Sequence, residues 1–169
     1  MKRILIIGNA GSGKTTFGIK LAQKTGIPLV HLDKIYWSGN WEHIEKNEFD
    51  NILQKELEKP EWIIDGNFNR TLPHRLKYCD TVFYFDVPII TCIWGVTKRI
   101  LKSYGKTRSD MGGNCPEYFD KQKLTLYRNI IQFKKQHGEK YKHMLSSAKG
   151  IKVIRFKSRH RAKLFLKSI

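Results

Sequence analysis

The sequence predicts an α/β fold: a parallel β-sheet covered by helices on both faces. Two observations carry the prediction. Short β-branched or aliphatic runs recur at Ile4–Ile7, Leu29–Leu32, Trp62–Ile64, Thr81–Phe85 and Lys152–Phe156, and longer, helix-like stretches separate them. Runs without polar alternation suit strands buried on both faces. Strands that alternate with helices form βαβ units.

The helices are predicted from Lys14 to about Lys24, Asn47 to Lys59, Ile89 to Ser103, Asp120 to His137, and Arg159 to the C-terminus. Gly26-Ile27-Pro28 stops the first and Pro60 closes the second. Two segments break the alternation: aromatic and polar Asp33–Lys46, and Tyr104–Pro116, rich in Gly, Lys and Arg. Inserted loops of that length are often functional lids.

The 169 residues, 40% of them hydrophobic, are enough for one domain with a proper core. Cys79, Cys92 and Cys115 show no C-x-x-C spacing and read as reduced, packed thiols of a cytoplasmic protein. Only four apolar residues precede Gly8, too few for an export signal. No run approaches the roughly 18 apolar residues of a membrane span, so no membrane partner is expected. The net charge of +17 is uneven: residues 1–97 hold 12 Lys/Arg and 11 Asp/Glu, residues 98–169 hold 20 and 4. The basic half reads either as a solvated surface or as phosphate-binding arginines with weak, non-specific nucleic-acid binding.

The strongest motif is G-x-x-x-x-G-K-[ST] at Gly8-Asn9-Ala10-Gly11-Ser12-Gly13-Lys14-Thr15, followed by Thr16, between the first strand and the first helix. Glycines let the backbone curl so that N–H groups face phosphate oxygens, and the helix adds its positive end. The expected ligand is ATP, with Lys14 bridging the β- and γ-phosphates and Thr15 holding Mg²⁺. Asp65 ends the Trp62–Ile64 run and reads as a second Mg²⁺ group or as a cap of the turn Asp65-Gly66-Asn67. Asp33 ends the second run; it reads as the residue that orients or deprotonates an acceptor hydroxyl, or as a cap. His31 is expected to alternate away from the site. Arg70, Arg75, Lys98, Arg99 and Arg108 supply cations for phosphoryl transfer, although any one of them reads equally as a surface residue. Tyr36, Trp37 and Trp41 form either a stacking wall for the acceptor or the packing of an inserted helical hairpin.

These residues resemble the adenylate-kinase-like nucleoside and nucleotide kinases over most of the chain. Ile64-Asp65-Gly66-Asn67-Phe68-Asn69-Arg70 is similar to the strand ending in Asp-Gly-Phe-Pro-Arg, and Phe85-Asp86-Val87-Pro88 to the end of the fourth strand. Thr97 to Lys102, with Gly105 and Arg108, resembles the entry to the LID, and Arg128 falls where an arginine often follows it. The resemblance implies a P-loop NTPase three-layer fold with a five-stranded sheet of order 2-3-1-4-5. It implies one kinase-like domain over 1–169, with an acceptor-binding insertion at about 33–59 and a LID at about 104–119. His31-Leu32-Asp33 with Tyr36-Trp37, Ile63-Ile64-Asp65-Gly66-Asn67 and Cys115-Pro116-Glu117 more closely resemble the bacterial topology modulation proteins. The implied activity is Mg²⁺-dependent phosphoryl transfer from ATP to a small-molecule acceptor, nucleotide or nucleoside-like, by Lys14, Asp33, Arg99 and Arg108. A nucleotide-dependent DNA-binding protein affecting DNA topology is the alternative.

Overall fold

The computed structural model describes residues 1–148 and 150–169. In chain order its elements are β1 (Arg3–Gly8), α1 (Lys14–Thr25), β2 (Leu29–His31), α2 (Leu32–Tyr36), β3 (Trp37–Gly39), β4 (Glu42–His43) and α3 (Lys46–Leu57). They continue with β5 (Trp62–Asp65), α4 (Leu72–Leu76), β6 (Thr81–Phe85), α5 (Ile89–Lys102), α6 (Lys121–Ser147), β7 (Lys152–Phe156) and α7 (Arg159–Lys167). Five strands form a parallel sheet in the order β2-β5-β1-β6-β7, and β3 with β4 forms an antiparallel hairpin. Counted among the strands of the large sheet alone, that is 2-3-1-4-5.

The runs of β1, β5 and β6 are buried on both faces, as their composition predicts, whereas the edge strands β2 and β7 are partly exposed. Ile4, Ile6, Ile63, Phe83 and Phe85 face one cluster, shared with Phe17 and Leu21 of α1, Cys92, Val96 and Ile100 of α5, and Ala162 and Leu166 of α7. Leu5, Ile7, Trp62, Ile64, Val82 and Tyr84 face the other, with Phe49, Leu53 and Leu57 of α3 and Leu72 and Leu76 of α4. The three cysteines are buried and unbridged. Burial pushes the Cys79 thiol up to about 12, so it packs as an apolar group. No helix among the described residues is long and apolar enough to cross a membrane.

Three elements depart from the sequence reading. The second strand ends at His31, one residue early, so Asp33 lies in the first turn of α2 instead of on a strand. The insertion holds a β-hairpin where a helical hairpin was one alternative; Asn40 (φ 48°) and Trp41 (φ 60°) make its tight turn. The helix expected to end at His137 runs on to Ser147. Gly138 costs about 1 kcal/mol there, but Tyr141 and Leu145, one turn apart, continue into the second core cluster. α6 also gives Ile130 to the first cluster, so it ties the two sides of the sheet together.

Arg75 is a further correction. It was a candidate for phosphate, yet its side chain is fully buried in α4 and donates to the carbonyls of Gly66 (3.0 Å), Asn67 and Phe68 (3.1 Å). Burial lowers its pKa to about 10, still high enough to keep the cation at neutral pH. Arg75→Met leaves those carbonyls without a donor and is expected to cost about 2–4 kcal/mol. Urea denaturation measures this, and an unchanged midpoint would show that the turn after β5 holds without the guanidinium.

Candidate active site

Strand register builds the site. Gly8 pairs with Phe85, Ile6 with Asp65, and His31 with Asp65, so four strands end at one edge around the end of β1. Ligands of open α/β sheets bind at that edge. The chain leaves β1 through Gly8 and turns at Gly11 (φ 71°), where a Cβ would run into the Cys92 carbonyl. Gly13 precedes α1 with no side-chain cap, leaving the first-turn amides to an external acceptor.

Lys14 is half-buried, and its Nζ donates to the Asn9 carbonyl at 2.9 Å, folded back over its own loop. Burial lowers its pKa, opposed by Asp65 and Asp33. Thr15 Oγ1 donates to Asp65 Oδ2 at 2.8 Å. Asp65 is 6% exposed, and its other oxygen, Oδ1, is buried without a hydrogen-bond partner. No cluster of three or more His, Cys, Asp or Glu suited to a metal occurs among the described residues. The residues fit Mg²⁺ nonetheless, because that ion takes one or two protein oxygens and completes its shell with water and phosphate. His31 does not turn away: its Nδ1 lies 3.5 Å from Asp65 Oδ2, because the lateral pairing of β2 with β5 puts the two side by side.

Asp33 shares this electrostatic cluster. Burial, then the Asp65 charge, holds its carboxyl above the usual carboxylate value, with Arg108 and Lys14 pulling the other way. A carboxylate raised in this way is a better proton acceptor.

The two inserted segments meet and form a roof. Asn40 N–H donates to the Asn114 carbonyl at 2.7 Å, Trp41 N–H to Cys115 Sγ at 3.4 Å, and Trp41 Nε1 to the Pro116 carbonyl at 3.1 Å. Gly113 (φ 55°) lies so close to the Ser38 carbonyl that a Cβ would collide with it. These contacts offset the left-handed backbone at Trp41, a conformation that costs on the order of 1–3 kcal/mol for a bulky residue. Beneath the roof, fully buried Glu117 gathers three cations: Lys123 at 2.8 Å, Arg108 at 3.0 Å and Arg99 at 3.7 Å. Arg108 also pairs with Asp110 at 2.8 Å, and Lys123 stands 4.0 Å from the Trp41 ring centre.

The resulting cavity, about 1370 Å³, is lined by Ala10, Gly11, Gly13 to Thr16, Asp33, Trp37, Trp41, Asp65, Lys98, Arg99 and Arg108, among others. A single small-molecule pocket usually measures ~300–1,000 Å³, so there is room for two ligands. The structure therefore brings Lys14, Thr15, Asp33, Asp65, Arg99 and Arg108 together. It leaves others out. Arg70 makes a two-pronged, exposed pair with Asp50, and Arg128 points to solvent from α6. Tyr36 packs on Phe49, Phe68 and His43, so the aromatic wall consists of Trp37 and Trp41.

Three contributors escaped the sequence reading. Gly8 N–H donates to Asn67 Oδ1 at 2.9 Å, tying the loop to the turn after β5. Arg159 donates to the carbonyls of Gly11, Ser12 (3.3 Å) and Thr91 (3.1 Å), holding the loop from behind. Glu117 orders the roof cations. The Asp65-Gly66-Asn67 turn was a usable signal for the first, and Cys115-Pro116-Glu117 was noticed as a motif without a role for Glu117; nothing local marks Arg159.

A family model for isopentenyl transferase matches residues 1–39, the stretch from β1 to β3. No curated protein matches the chain by sequence. Among solved structures, shikimate kinase from Bacteroides thetaiotaomicron is similar at 17% identity and a TM-score of 0.58, over 99% of this chain and 95% of that one. Shikimate kinase from Acinetobacter baumannii in complex with shikimate gives 16% and 0.57, over 99% and 92%. The fold is thus shikimate-kinase-like, a P-loop fold with a five-stranded parallel sheet enclosed by helices.

Asp33 yields a pH prediction. Its raised pKa means the folded state holds the proton more tightly than the unfolded chain. Its stabilising contribution is full below the unfolded value and is lost as pH rises through the folded one. Asp33→Asn should therefore be more stable than the wild type at pH 7, with the gap closing towards pH 4 in paired thermal melts. A gap that widens on acidification would refute the buried-charge account.

Proposed function

We propose that the chain is an ATP- and Mg²⁺-dependent kinase that moves the γ-phosphoryl group to a hydroxyl of a small-molecule acceptor. One observation carries the reading: the Thr15–Asp65 contact at the mouth of the glycine loop lines, with Lys14 and Asp33, one cavity with room for two ligands. Phosphate oxygens accept from the amides of residues 9–16 and from Lys14, which exchanges the Asn9 carbonyl for the phosphates. Arg99 and Arg108, whose Nε atoms are buried without a hydrogen-bond partner, would serve the transferring group. Thr15 Oγ1 and Asp65 would hold Mg²⁺, which neutralises charge on the phosphates when bound. Asp33 accepts the proton of the acceptor hydroxyl as its oxygen bonds to the γ-phosphorus and the β–γ bridging oxygen departs with ADP.

The test is acceptor-stimulated ADP release from ATP and Mg²⁺ over a panel of hydroxyl compounds. If none stimulates turnover, the kinase reading is lost. Lys14→Ala should lower turnover by roughly 10²–10³-fold, the scale of a lost transition-state donor, while the fold survives and the ATP-dependent thermal shift shrinks. An undiminished shift would place the nucleotide elsewhere. Asp65→Asn should be partly rescued by raised Mg²⁺ and Asp33→Asn should not; identical Mg²⁺ dependence would erase the division of roles.

The exposed lysines of α6 (Lys134, Lys135, Lys140 and Lys142) exceed what such a site needs. They support weak binding to duplex DNA, with a dissociation constant on the order of 10⁻⁴–10⁻⁶ M at physiological salt. Affinity should fall steeply with salt and ignore ATP. A strong ATP-dependent change at physiological salt would favour the DNA-binding alternative.

A further inference from the structure

We propose that the outer face of α5 and α6 binds the surface of an anionic lipid bilayer, lying on it without crossing it. Helix period separates this face from the core. In α5, Cys92, Val96 and Ile100 point inward, while Ile90, Trp94 and Leu101 form a stripe on the opposite side, each more than half exposed. In α6, Ile130 and Tyr141 point inward, and Leu124 and Ile131, two turns apart, are likewise more than half exposed. The helices run side by side in opposite directions: Thr97 Oγ1 and Tyr127 OH share a hydrogen bond of 2.7 Å, and Arg99 and Lys123, both on the loop side of that pair, reach the same Glu117. Leu101 therefore lies level with Leu124 and Trp94 level with Ile131, and the two stripes form one face. Tyr104 and Phe119, exposed and packed on each other with ring centres 6.2 Å apart, extend it at the loop end. At ~150–250 Å² for an aromatic side chain and somewhat less for Leu or Ile, the face leaves on the order of 700 Å² of apolar surface in water. The largest patch on an ordinary monomer is ~300–600 Å².

The charges around the face identify what covers it. α5 holds no Asp or Glu, and α6 holds none before Glu139. Asp120, the N-cap of α6, is spent on the Lys123 N–H at 2.9 Å, and Glu117 is buried. Lys98 and Lys102 border the stripe on α5, Arg128 and Lys135 border it on α6, and all four are exposed. A second copy of the chain would bring these cations against its own, with no carboxylate on either face to answer them. A partner's helix needs a groove, and none of the stripe's side chains lines either cavity of the molecule. A bilayer needs no groove: its anionic headgroups attract the bordering cations, and its interface takes up Trp, Tyr and Phe rings together with Leu and Ile. The expectation of no membrane partner rests on continuous apolar runs, whereas this face is assembled from spaced residues of two helices.

The test is flotation of the full chain with vesicles of phosphatidylcholine, either alone or with about 30 mol% phosphatidylserine, at about 0.15 M salt. The chain should float with the anionic vesicles and roughly tenfold less with the neutral ones. Trp94→Ser combined with Leu124→Ser changes no charge and touches neither core cluster. The double variant should keep the wild-type thermal melt and partition roughly tenfold less. Brominated acyl chains should quench the tryptophan fluorescence of the wild type, and most of that quenching should disappear in Trp94→Phe. Undiminished flotation of the serine variant, or quenching that survives Trp94→Phe, overturns the inference, because the basic half of the chain would then be adhering to any polyanion. Equal binding to neutral vesicles overturns it as well. So does binding to neither vesicle, which leaves the face to a protein partner. A dimer in sedimentation equilibrium without lipid, converted to monomer by the serine variant, overturns it in favour of a second copy.

Discussion

The two-sided burial of β1 is the constraint on which everything else depends. Ile4, Leu5, Ile6 and Ile7 are each 0% exposed and alternate between the two core clusters. Fully burying such side chains contributes ~1.5–3 kcal/mol apiece, a large share of the ~5–15 kcal/mol that separates a folded domain from its unfolded chain. The strand is therefore fixed in position, and the glycine loop starts from its end. Asp65 and His31 are placed by strand register relative to that same line, through β5 and then β2. The Thr15–Asp65 contact follows from where the sheet ends, with no dedicated scaffold of its own.

The roof is built on a different principle. Its polar groups are held by a buried carboxylate, Glu117, shared among three cations. Pairs of this kind gain little net stability, because desolvation offsets attraction, but removing one partner leaves a buried charge alone. The arrangement fixes direction: Arg99 and Arg108 cannot swing freely, and Lys123 is kept over Trp41. Backbone contacts from Asn40 and Trp41 to residues 114–116 close the hairpin on the loop.

How much of this could be read from the sequence follows from range. The centre of the sheet was legible because strands buried on both faces leave continuous apolar runs, and the Gly8–Thr15 loop because its glycine spacing is local. Asp65 was placed correctly for the same reason, one residue past an apolar run. The direction of His31 and the element that carries Asp33 were misjudged because a single residue decides where β2 ends, although Asp33 reaches the cavity as expected. Arg75 was misread because a guanidinium that serves backbone carbonyls has the same sequence signature as one that serves phosphate. The roof was illegible because Asn40–Asn114 and Trp41–Pro116 are long-range contacts between segments with no periodicity. The end of α6 was misplaced because Gly138 is a local stop signal that tertiary packing of Tyr141 and Leu145 overrides.

On the proposed function, the end of β1 and the end of β5 together bind a metal-complexed triphosphate. Calorimetric titration of an unreactive ATP analogue into the full chain, first with Mg²⁺ and then with a chelator, tests it most directly. Saturable one-site binding that weakens when Mg²⁺ is removed is expected, and a Thr15→Val chain should bind alike in both conditions. Wild-type binding that is absent, or that is indifferent to Mg²⁺, would contradict it.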